Sequence, residues 1–214
     1  MAIVQNPITG RTKKKFGSAV FSKQFGKNTM RTKPIEVRNP KTLGQKQQRS
    51  KFSLMVELSR MFMGFIRIGF KQVATGMSQF NVFMKSNIST AITGVYPTFS
   101  IDFAHLLVSK GTLTGADGEA AAAVAGHKVD ITWVDNSGNG DALATDNAMG
   151  LIINYTKKAI MQDSTTKTRA DEALSFTVPA TWIGDEVHTY LSFKTPLSNK
   201  VADSKFMASV TILA

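Results

Sequence analysis

The 214-residue chain contains no cysteine, so disulfides, thiolate chemistry and cysteine-ligated zinc are all excluded. Acidic residues are scarce in the first hundred residues, which hold only Glu36 and Glu57. A long uninterrupted apolar run is lacking as well. The most apolar stretch, 54–70, is broken by Glu57, Arg60 and Arg67, so we expect no membrane-spanning helix.

The sequence also lacks the signatures of known catalytic sites. It contains no GxSxG, HExxH, phosphate-binding P-loop or dinucleotide-binding glycine fingerprint. His105, His127 and His188 lie far apart and have no partner at metal-ligand spacing, so we interpret each as an ordinary strand or loop residue. We therefore predict a protein that is not an enzyme and holds no resident cofactor.

We expect no secretory signal peptide in the first residues, because no apolar segment follows the lysines at positions 13–15. We expect the protein to be cytoplasmic, or to be part of a virion or another large assembly.

Positive charge is concentrated in the first half of the chain. Residues 1–100 hold 17 lysines and arginines against two acids, a net charge of +15, whereas residues 101–214 have a net charge of −4. Between residues 11 and 51 there are 13 basic residues and one acid, a balance typical of a segment that faces a polyanion. The predicted polyanion-binding residues are Arg11, Lys13, Lys14, Lys15, Lys23, Lys27, Arg31, Lys33, Arg38, Lys41, Lys46, Arg49 and Lys51.

Three phenylalanines, Phe16, Phe21 and Phe25, are interleaved with these cations, and aromatic rings can stack on unpaired bases. We therefore predict nucleic acid or an acidic protein surface as the partner. A solvated tail that only promotes solubility is the alternative. No RNP motif, zinc finger or clear helix-turn-helix indicates sequence-specific readout.

The pattern of the chain predicts an α+β protein in three parts. Residues 1–41 form a basic N-terminal arm, with a short hairpin that turns at Gly26-Lys27-Asn28. Residues 42–95 form an antiparallel two-helix hairpin. Residues 96–214 form an all-β sandwich of about seven strands, similar to immunoglobulin and fibronectin III domains.

The first predicted helix begins with Thr42 as its cap, with Gln45 completing a capping box, and runs to about Gln72. Ser78 is predicted to cap the second helix. Polar residues form one narrow stripe on the first helix, so it is interpreted either as a core helix or as an oligomer interface. In the second interpretation the contact residues are Phe52, Met55, Phe62, Met63, Ile66 and Phe70.

Short segments separated by turn residues predict the strands of the sandwich. Residues 119–125 are interpreted as a connection between strands, with a helical turn as the alternative. Tyr190 is interpreted as the residue of a tyrosine corner. The predicted strands are 104–108, 128–134, 149–155, 159–162, 173–178, 187–193 and 206–213.

Residues 135–146, with the sequence DNSGNGDALATD, have some of the spacing of a calcium-binding loop. Oxygen-bearing side chains at alternate positions and a glycine at the bend are what a hard cation needs. However, a serine replaces one carboxylate and an aspartate replaces the bidentate glutamate, and a polar hairpin turn would satisfy the same residues without metal. The candidate Ca²⁺ ligands are Asp135, Ser137, Asn139, Asp141 and Asp146.

Three stretches, taken in order, resemble a known family. They are the helix entry from Arg38, with the pattern NPKT-x-x-Q-x-x-x-R, then YPTFSID from Tyr96, and WVDNSG from Trp133. Together they are similar to an uncharacterised Bacteroidota family, in which a glycine- and lysine-rich start precedes a sandwich-like C-terminal half. The resemblance implies a bacterial or phage origin and brings no activity, ligand or site residue.

Two hypotheses for the function follow. In the first, the protein is a non-enzymatic structural or assembly protein whose basic arm binds a polyanion, while the helices and the sandwich act as the scaffold. In the second, it is a self-assembling component of a virion, filament or tail, and the arm threads into a neighbouring subunit. Both predict a homo-oligomer or a member of a larger assembly.

Overall fold

The computed structural model describes residues 2–3, 14–24, 26–36 and 39–214. The chain divides into two compact units, Met1–Leu43 and Gly44–Ala214. The first unit is a small sheet, and the second contains the helices together with the sandwich. The boundary that we predicted at residue 95 lies inside the second unit.

The first unit contains a four-stranded antiparallel sheet, which is more than the single hairpin that we predicted. Its strands are β1 (Ala2–Ile3), β2 (Lys14–Phe16), β3 (Ala19–Gln24) and β4 (Lys27–Thr32), in the order β1-β4-β3-β2. The predicted hairpin corresponds to β3 and β4, and its turn lies between the paired residues Gln24 and Lys27. Gly26 has a φ of +82° in this turn, a conformation that glycine adopts without a steric penalty.

Three helices begin the second unit: α1 (Leu43–Met61), α2 (Met63–Gly69) and α3 (Gln79–Asn87). The single helix predicted up to residue 72 is interrupted at Phe62, where φ is −125° and ψ is 37°. Ser78 caps α3 as predicted, and its hydroxyl accepts a hydrogen bond from the backbone N–H of Asn81 at 3.3 Å.

A two-stranded hairpin, β5 (Ile92–Thr93) and β6 (Ser100–Ile101), follows the helices. The sandwich then consists of one sheet in the order β10-β9-β12-β13 and a second sheet in the order β11-β8-β7. The chain is therefore α+β with a β-rich C-terminal part, as predicted. The strands of the sandwich are β7 (Asp117–Val124), β8 (Lys128–Val134), β9 (Asn147–Asn154), β10 (Ala159–Asp163), β11 (Ala173–Thr177), β12 (Glu186–Lys194) and β13 (Lys205–Thr211).

Two predictions for this region are wrong. Residues 104–108 do not form a strand, because a 3-10 turn covers Phe103–His105 and the Asn87 side chain then bonds both backbone groups of Leu107, at 2.8 and 2.9 Å. The amide thus satisfies backbone groups that a neighbouring strand would otherwise satisfy. Residues 119–125 were predicted to be a connection, but all except the last lie in β7, which is paired with β8.

The sheet that contains β9 has a hydrophobic core on each of its faces. Met149, Leu151 and Ile153 pack with the helices, whereas Ala148 and Ile152 pack with the three-stranded sheet. This division follows the alternation of side chains along a strand. A strand that is buried on both faces reads in the sequence as a continuous apolar run, which is how β9 could be predicted.

Tyr190 lies on the helical side of the same sheet and is fully buried. Its hydroxyl donates a 2.7 Å hydrogen bond to the carbonyl oxygen of Phe103, which lies 87 positions earlier in the chain. A tyrosine corner bonds to backbone only a few residues upstream. The predicted tyrosine corner is therefore wrong, and Tyr190 instead ties the sheet to the 3-10 turn.

Candidate polyanion-binding surface

The small sheet of the first unit carries cations on both of its faces. Paired residues of an antiparallel sheet share a face. Lys15 is paired with Val20 and Val20 with Arg31, so the cations of Lys15 and Arg31 lie on one face. Lys14 is paired with Phe21, which is paired with Met30, so Lys14 and two apolar side chains share the other face.

Every predicted cation that the structure describes between residues 14 and 33 is exposed. Thr29 is the one buried residue among those described in this unit. Its hydroxyl bonds with Ser22 Oγ at 2.7 Å. Among the side chains whose burial the structure describes, the sheet therefore has almost no core, and its exposed surface is chiefly basic. The exposed cations are Lys14, Lys15, Lys23, Lys27, Arg31 and Lys33.

The first three turns of α1 form a second basic surface, and none of their residues is buried. Lys46 and Arg49 are exposed and Lys51 is half-buried, while the first turn contains no acid. Cations near a helix N-terminus oppose the helix dipole, whereas an anion there is favoured. This end of α1 therefore favours an anionic partner electrostatically. Lys41, just before the helix, is also exposed.

The cations of the sandwich are arranged differently, because most of them have an acidic partner. By contrast, among the described residues no carboxylate pairs with a lysine of the small sheet or with Lys41 or Lys46. The positive charge of these lysines is thus not compensated by any carboxylate that the structure describes. The ion pairs of the second unit include Lys157–Asp185, Lys158–Glu57, Lys167–Asp171, Lys200–Asp141 and Lys205–Glu119.

Three predicted polyanion-binding residues, Arg11, Lys13 and Arg38, lie outside the described residues, as does Phe25. The remaining ones are divided between the small sheet and the segment that leads into α1. Sequence reasoning identified both surfaces through charge alone. It did not predict that the first of them would be a sheet with cations on two faces.

The predicted oligomer interface on the helices is mostly core. Met55, Phe62, Ile66 and Phe70 are at most 1% exposed and belong to the core between the helices and the sandwich, so the prediction is wrong for these four. Phe83 of α3 packs edge-on against both Phe62 and Phe70, with ring centroids 5.7 and 5.8 Å apart. The other two predicted residues remain accessible: Phe52 is 49% exposed and Met63 is half-buried.

The predicted calcium loop is organised around an arginine that the sequence did not single out. Arg169 is completely buried, and its guanidinium pairs with Asp146 at 3.3 Å and donates a hydrogen bond to Asn136. Asp141 instead accepts bonds from the backbone and hydroxyl of Thr114, at 2.9 and 3.0 Å.

The candidate ligands are therefore not gathered into one cation site. Asp135 accepts a bond from the backbone N–H of Ser137, as in a polar turn. In the part of the chain that the structure describes, no three acidic or histidine side chains are placed to hold a metal ion. The polar turn is thus the interpretation that the contacts favour.

The guanidinium of Arg169 makes further contacts that fix it in the sandwich. It donates to the carbonyl oxygens of Thr114 and Gly115, at 2.9 and 3.0 Å, and lies 3.8 Å from the ring centroid of Phe193. Removal from water lowers the pKa of Arg169, and the charge of Asp146 opposes this effect. No sequence signal marked this residue, because a single arginine in a polar segment forms no pattern.

The histidines do not come together either. His105 Nδ1 lies 2.7 Å from Asp102 Oδ2 at an exposed site, and this hydrogen bond lowers the pKa of Asp102. His188 instead stacks on Phe103 with ring centroids 3.6 Å apart. None of the described helices is long and apolar enough to cross a membrane.

Comparisons with known proteins give a family but no activity. Residues 11–208 match a family described as "Family of unknown function (DUF6266)". No curated protein matches the sequence. Among solved structures, the fn3 domain of the human collagen alpha-1(XX) chain is similar at 10% identity, with a TM-score of 0.36, covering 50% of this chain and 92% of that one. At this level the similarity carries no argument about function.

Proposed function

The chain belongs to the family of unknown function DUF6266, and on the evidence of its own residues we propose that it is a non-enzymatic polyanion-binding assembly protein. The basic sheet and the first turns of α1 bind the polyanion, and the helices with the sandwich are the scaffold. We propose nucleic acid as the polyanion, in a cytoplasmic or virion-like assembly of bacterial or phage origin. An acidic protein surface is the competing partner.

The observation that carries this proposal is the contrast in charge pairing. Four sandwich lysines lie beside carboxylates of the same unit, whereas the described lysines of the small sheet are exposed and pair with no carboxylate among the described residues. Uncompensated cations repel each other and lower stability unless an anion is bound. Contacts with phosphates supply the anion and release counterions, which favours binding.

The scaffold role is supported by how the second unit is built. One sheet supplies core to both the helices and the second sheet, so the unit is held together across three layers. We propose that the sandwich is of the immunoglobulin or fibronectin III type, since it has sheets of three and four strands with the first, second and fifth strands in one sheet.

The proposal is tested by neutralising four lysines in the small sheet and, separately, four lysines in the sandwich. The variant Lys14→Gln/Lys15→Gln/Lys23→Gln/Lys27→Gln removes four charges from the small sheet. Fluorescence anisotropy with a fluorescein-labelled oligonucleotide at low salt is expected to show roughly tenfold or greater loss of affinity. The matched control removes four exposed or half-exposed charges from the sandwich, through Lys128→Gln/Lys157→Gln/Lys167→Gln/Lys200→Gln, and is expected to bind nearly as the wild type does.

Equal losses in both variants would show that only net charge matters, and would contradict the proposed surface. Competition with poly-glutamate distinguishes the two partner classes. If poly-glutamate binds and no oligonucleotide does, the partner is an acidic protein rather than nucleic acid.

A second candidate function is self-assembly through the arm. It is favoured by the small sheet, which has one buried residue among those described and leaves Met30 37% exposed. A sheet with so little core gains stability by packing against another chain. Sedimentation velocity without nucleic acid tests this candidate: it predicts large oligomers, and a monomer at high protein concentration would contradict it.

A further inference from the structure

The loop between β5 and β6 presents two aromatic rings beside α1. The hairpin is anchored at its base, where Ile92 pairs with Ile101 and both pack against the helical core. Its loop is closed by hydrogen bonds from the backbone and hydroxyl of Thr98 to the carbonyl oxygen of Val95, at 2.8 and 3.2 Å. The loop is therefore held in one shape by its own contacts.

Gly94 is needed for this shape. Its φ is +88°, and a Cβ built on it would lie 2.6 Å from the carbonyl oxygen of Thr98, closer than real Cβ contacts. The resulting turn brings Tyr96 and Phe99 together, with ring centroids 6.4 Å apart and planes inclined by 58°. Tyr96 is 37% exposed, so its ring is accessible from solvent.

A groove of about 240 Å³ lies between this loop and the first turns of α1. The Lys51 ammonium lies 5.0 Å from the centroid of the Phe99 ring. The groove thus combines two aromatic rings, one cation and two amides that can each donate and accept hydrogen bonds. Its lining includes Gln47, Gln48, Lys51, Val95, Tyr96 and Phe99.

The α1 side of the groove is positively charged. Lys46 and Arg49 belong to the same turns of α1, and residues 42–56 contain no acid. The first acid along the helix, Glu57, is bonded to Lys158. An occupant that carries negative charge close to a flat ring would match both the cations and the aromatic faces.

We propose that this groove is the stacking site for an unpaired nucleobase, so that the protein binds single-stranded nucleic acid in preference to duplex. The inference rests on the proposed function and names the form of its partner. Tyr96 and Phe99 supply the stacking faces, Lys51 neutralises a phosphate, and the glutamine amides bond to base edges. Because amides both donate and accept, the site tolerates any base.

An acidic peptide fits the groove less well. Carboxylate side chains would be attracted to Lys51 and its neighbours, but they have no planar ring to lie on Tyr96. A duplex is excluded for a different reason, since its bases are paired and stacked inside the helix and cannot reach a groove beside a protein loop. A single strand offers both the phosphates and the free ring faces.

Substitution of Tyr96 tests the inference. Affinity for a fluorescein-labelled single-stranded oligonucleotide and for the matching duplex is measured by anisotropy at one salt concentration. Tyr96→Ala is expected to weaken single-strand binding by roughly 5- to 150-fold, the range for loss of one stacked base, and to change duplex binding less than about twofold. Tyr96→Trp keeps a stacking face and is expected to retain single-strand affinity.

Leu143→Ala is the control, because Leu143 is likewise exposed, at 53%, and lies in a loop of the sandwich. It is expected to bind as the wild type does. Unchanged single-strand affinity in Tyr96→Ala would overturn the stacking site. So would a wild type that binds duplex as tightly as single strand, although the proposed function would then still stand. A wild type that binds neither oligonucleotide overturns both.

Discussion

Arg169 is the residue on which the polar interior of the sandwich depends. Its guanidinium pairs with Asp146 and donates a hydrogen bond to Asn136, two residues of the loop 135–146 that the sequence suggested as a calcium site. The backbone carbonyl of Arg169 also accepts a 2.7 Å bond from the indole N–H of Trp133. A buried ion pair contributes little net stability, but loss of one partner leaves the other charge uncompensated.

We predict that Arg169→Met lowers the free energy of unfolding by about 3–5 kcal/mol, because Asp146 is then buried without a counter-charge. Urea denaturation measures the change. Lys167→Ala removes a half-exposed lysine at 3.5 Å from Asp171 and is the control, with a loss of at most about 0.5 kcal/mol. Equal effects of the two substitutions would contradict the structural role of Arg169.

His188 makes the stability of the sandwich depend on pH. Burial lowers its pKa below the ordinary value of 6.5, with the charge of Glu186 opposing the shift. The unfolded chain therefore binds a proton more readily than the folded chain just below pH 6.5. We predict that the free energy of unfolding is highest above pH 7 and falls as the pH decreases below about 6.5, by at most about 1.4 kcal/mol per pH unit.

Denaturation of the wild type and of His188→Gln between pH 5 and pH 8 measures this dependence. The variant is expected to show a smaller slope, because glutamine does not titrate. NMR titration of the His188 ring provides a direct check on the sign. A ring that titrates above the free-imidazole value would contradict the assignment.

Helix α2 ends at a glycine that allows close packing against the segment before the sandwich. A Cβ on Gly69 would lie 2.7 Å from Ser109 Cβ and 2.8 Å from the carbonyl oxygen of Val108. Gly64, in the same helix, has its nearest such atom at 3.7 Å, an ordinary contact. The two glycines therefore differ in packing although they lie in the same helix.

We predict that Gly64→Ala stabilises the protein by up to about 1 kcal/mol through helix propensity, whereas Gly69→Ala destabilises it because the backbone of residues 108–109 must move. Thermal denaturation of both variants gives the sign of each change. Stabilisation by both would show that α2 does not lie so close to residues 108–109.

The elements that the sequence predicted well are those whose pattern is local. The strand predicted at 128–134 has these same bounds in β8, because turn residues flank a segment in which apolar and polar residues alternate. The 3-10 turn at Phe103–His105 was missed because the Asn87 side chain, 20 positions away from Leu107, holds the segment. Strand β7 was missed because its alanines favour a helix, and pairing with β8 overrides that propensity.

The same distinction applies to the candidate site. Charge is a sum over nearby residues, so the basic segment was evident in the sequence. The groove beside Tyr96 is lined by α1 and by a loop more than forty residues later in the chain. No local sequence pattern predicts that these two segments lie together. Arg169 likewise acts through partners between 23 and 55 positions away.

Over the whole molecule, the net charge differs between the two halves of the chain, at +15 for residues 1–100 and −4 for residues 101–214. The N-terminal sheet and the start of α1 carry exposed cations, while most cations of the sandwich have an acidic partner. A polyanion partner would compensate the lysines of the small sheet, for which the structure describes no carboxylate partner. Binding made of phosphate contacts must weaken with salt, because each contact releases a condensed counterion.

The salt dependence of binding tests this account most directly. Affinity of the wild-type protein for a fluorescein-labelled single-stranded oligonucleotide is measured over a series of salt concentrations. With at least four phosphate contacts, the logarithm of the association constant is predicted to fall linearly with the logarithm of salt concentration, with a slope steeper than about −3. A slope near zero, or no binding at the lowest salt concentration, would contradict the proposal that the basic surfaces bind nucleic acid through phosphate contacts.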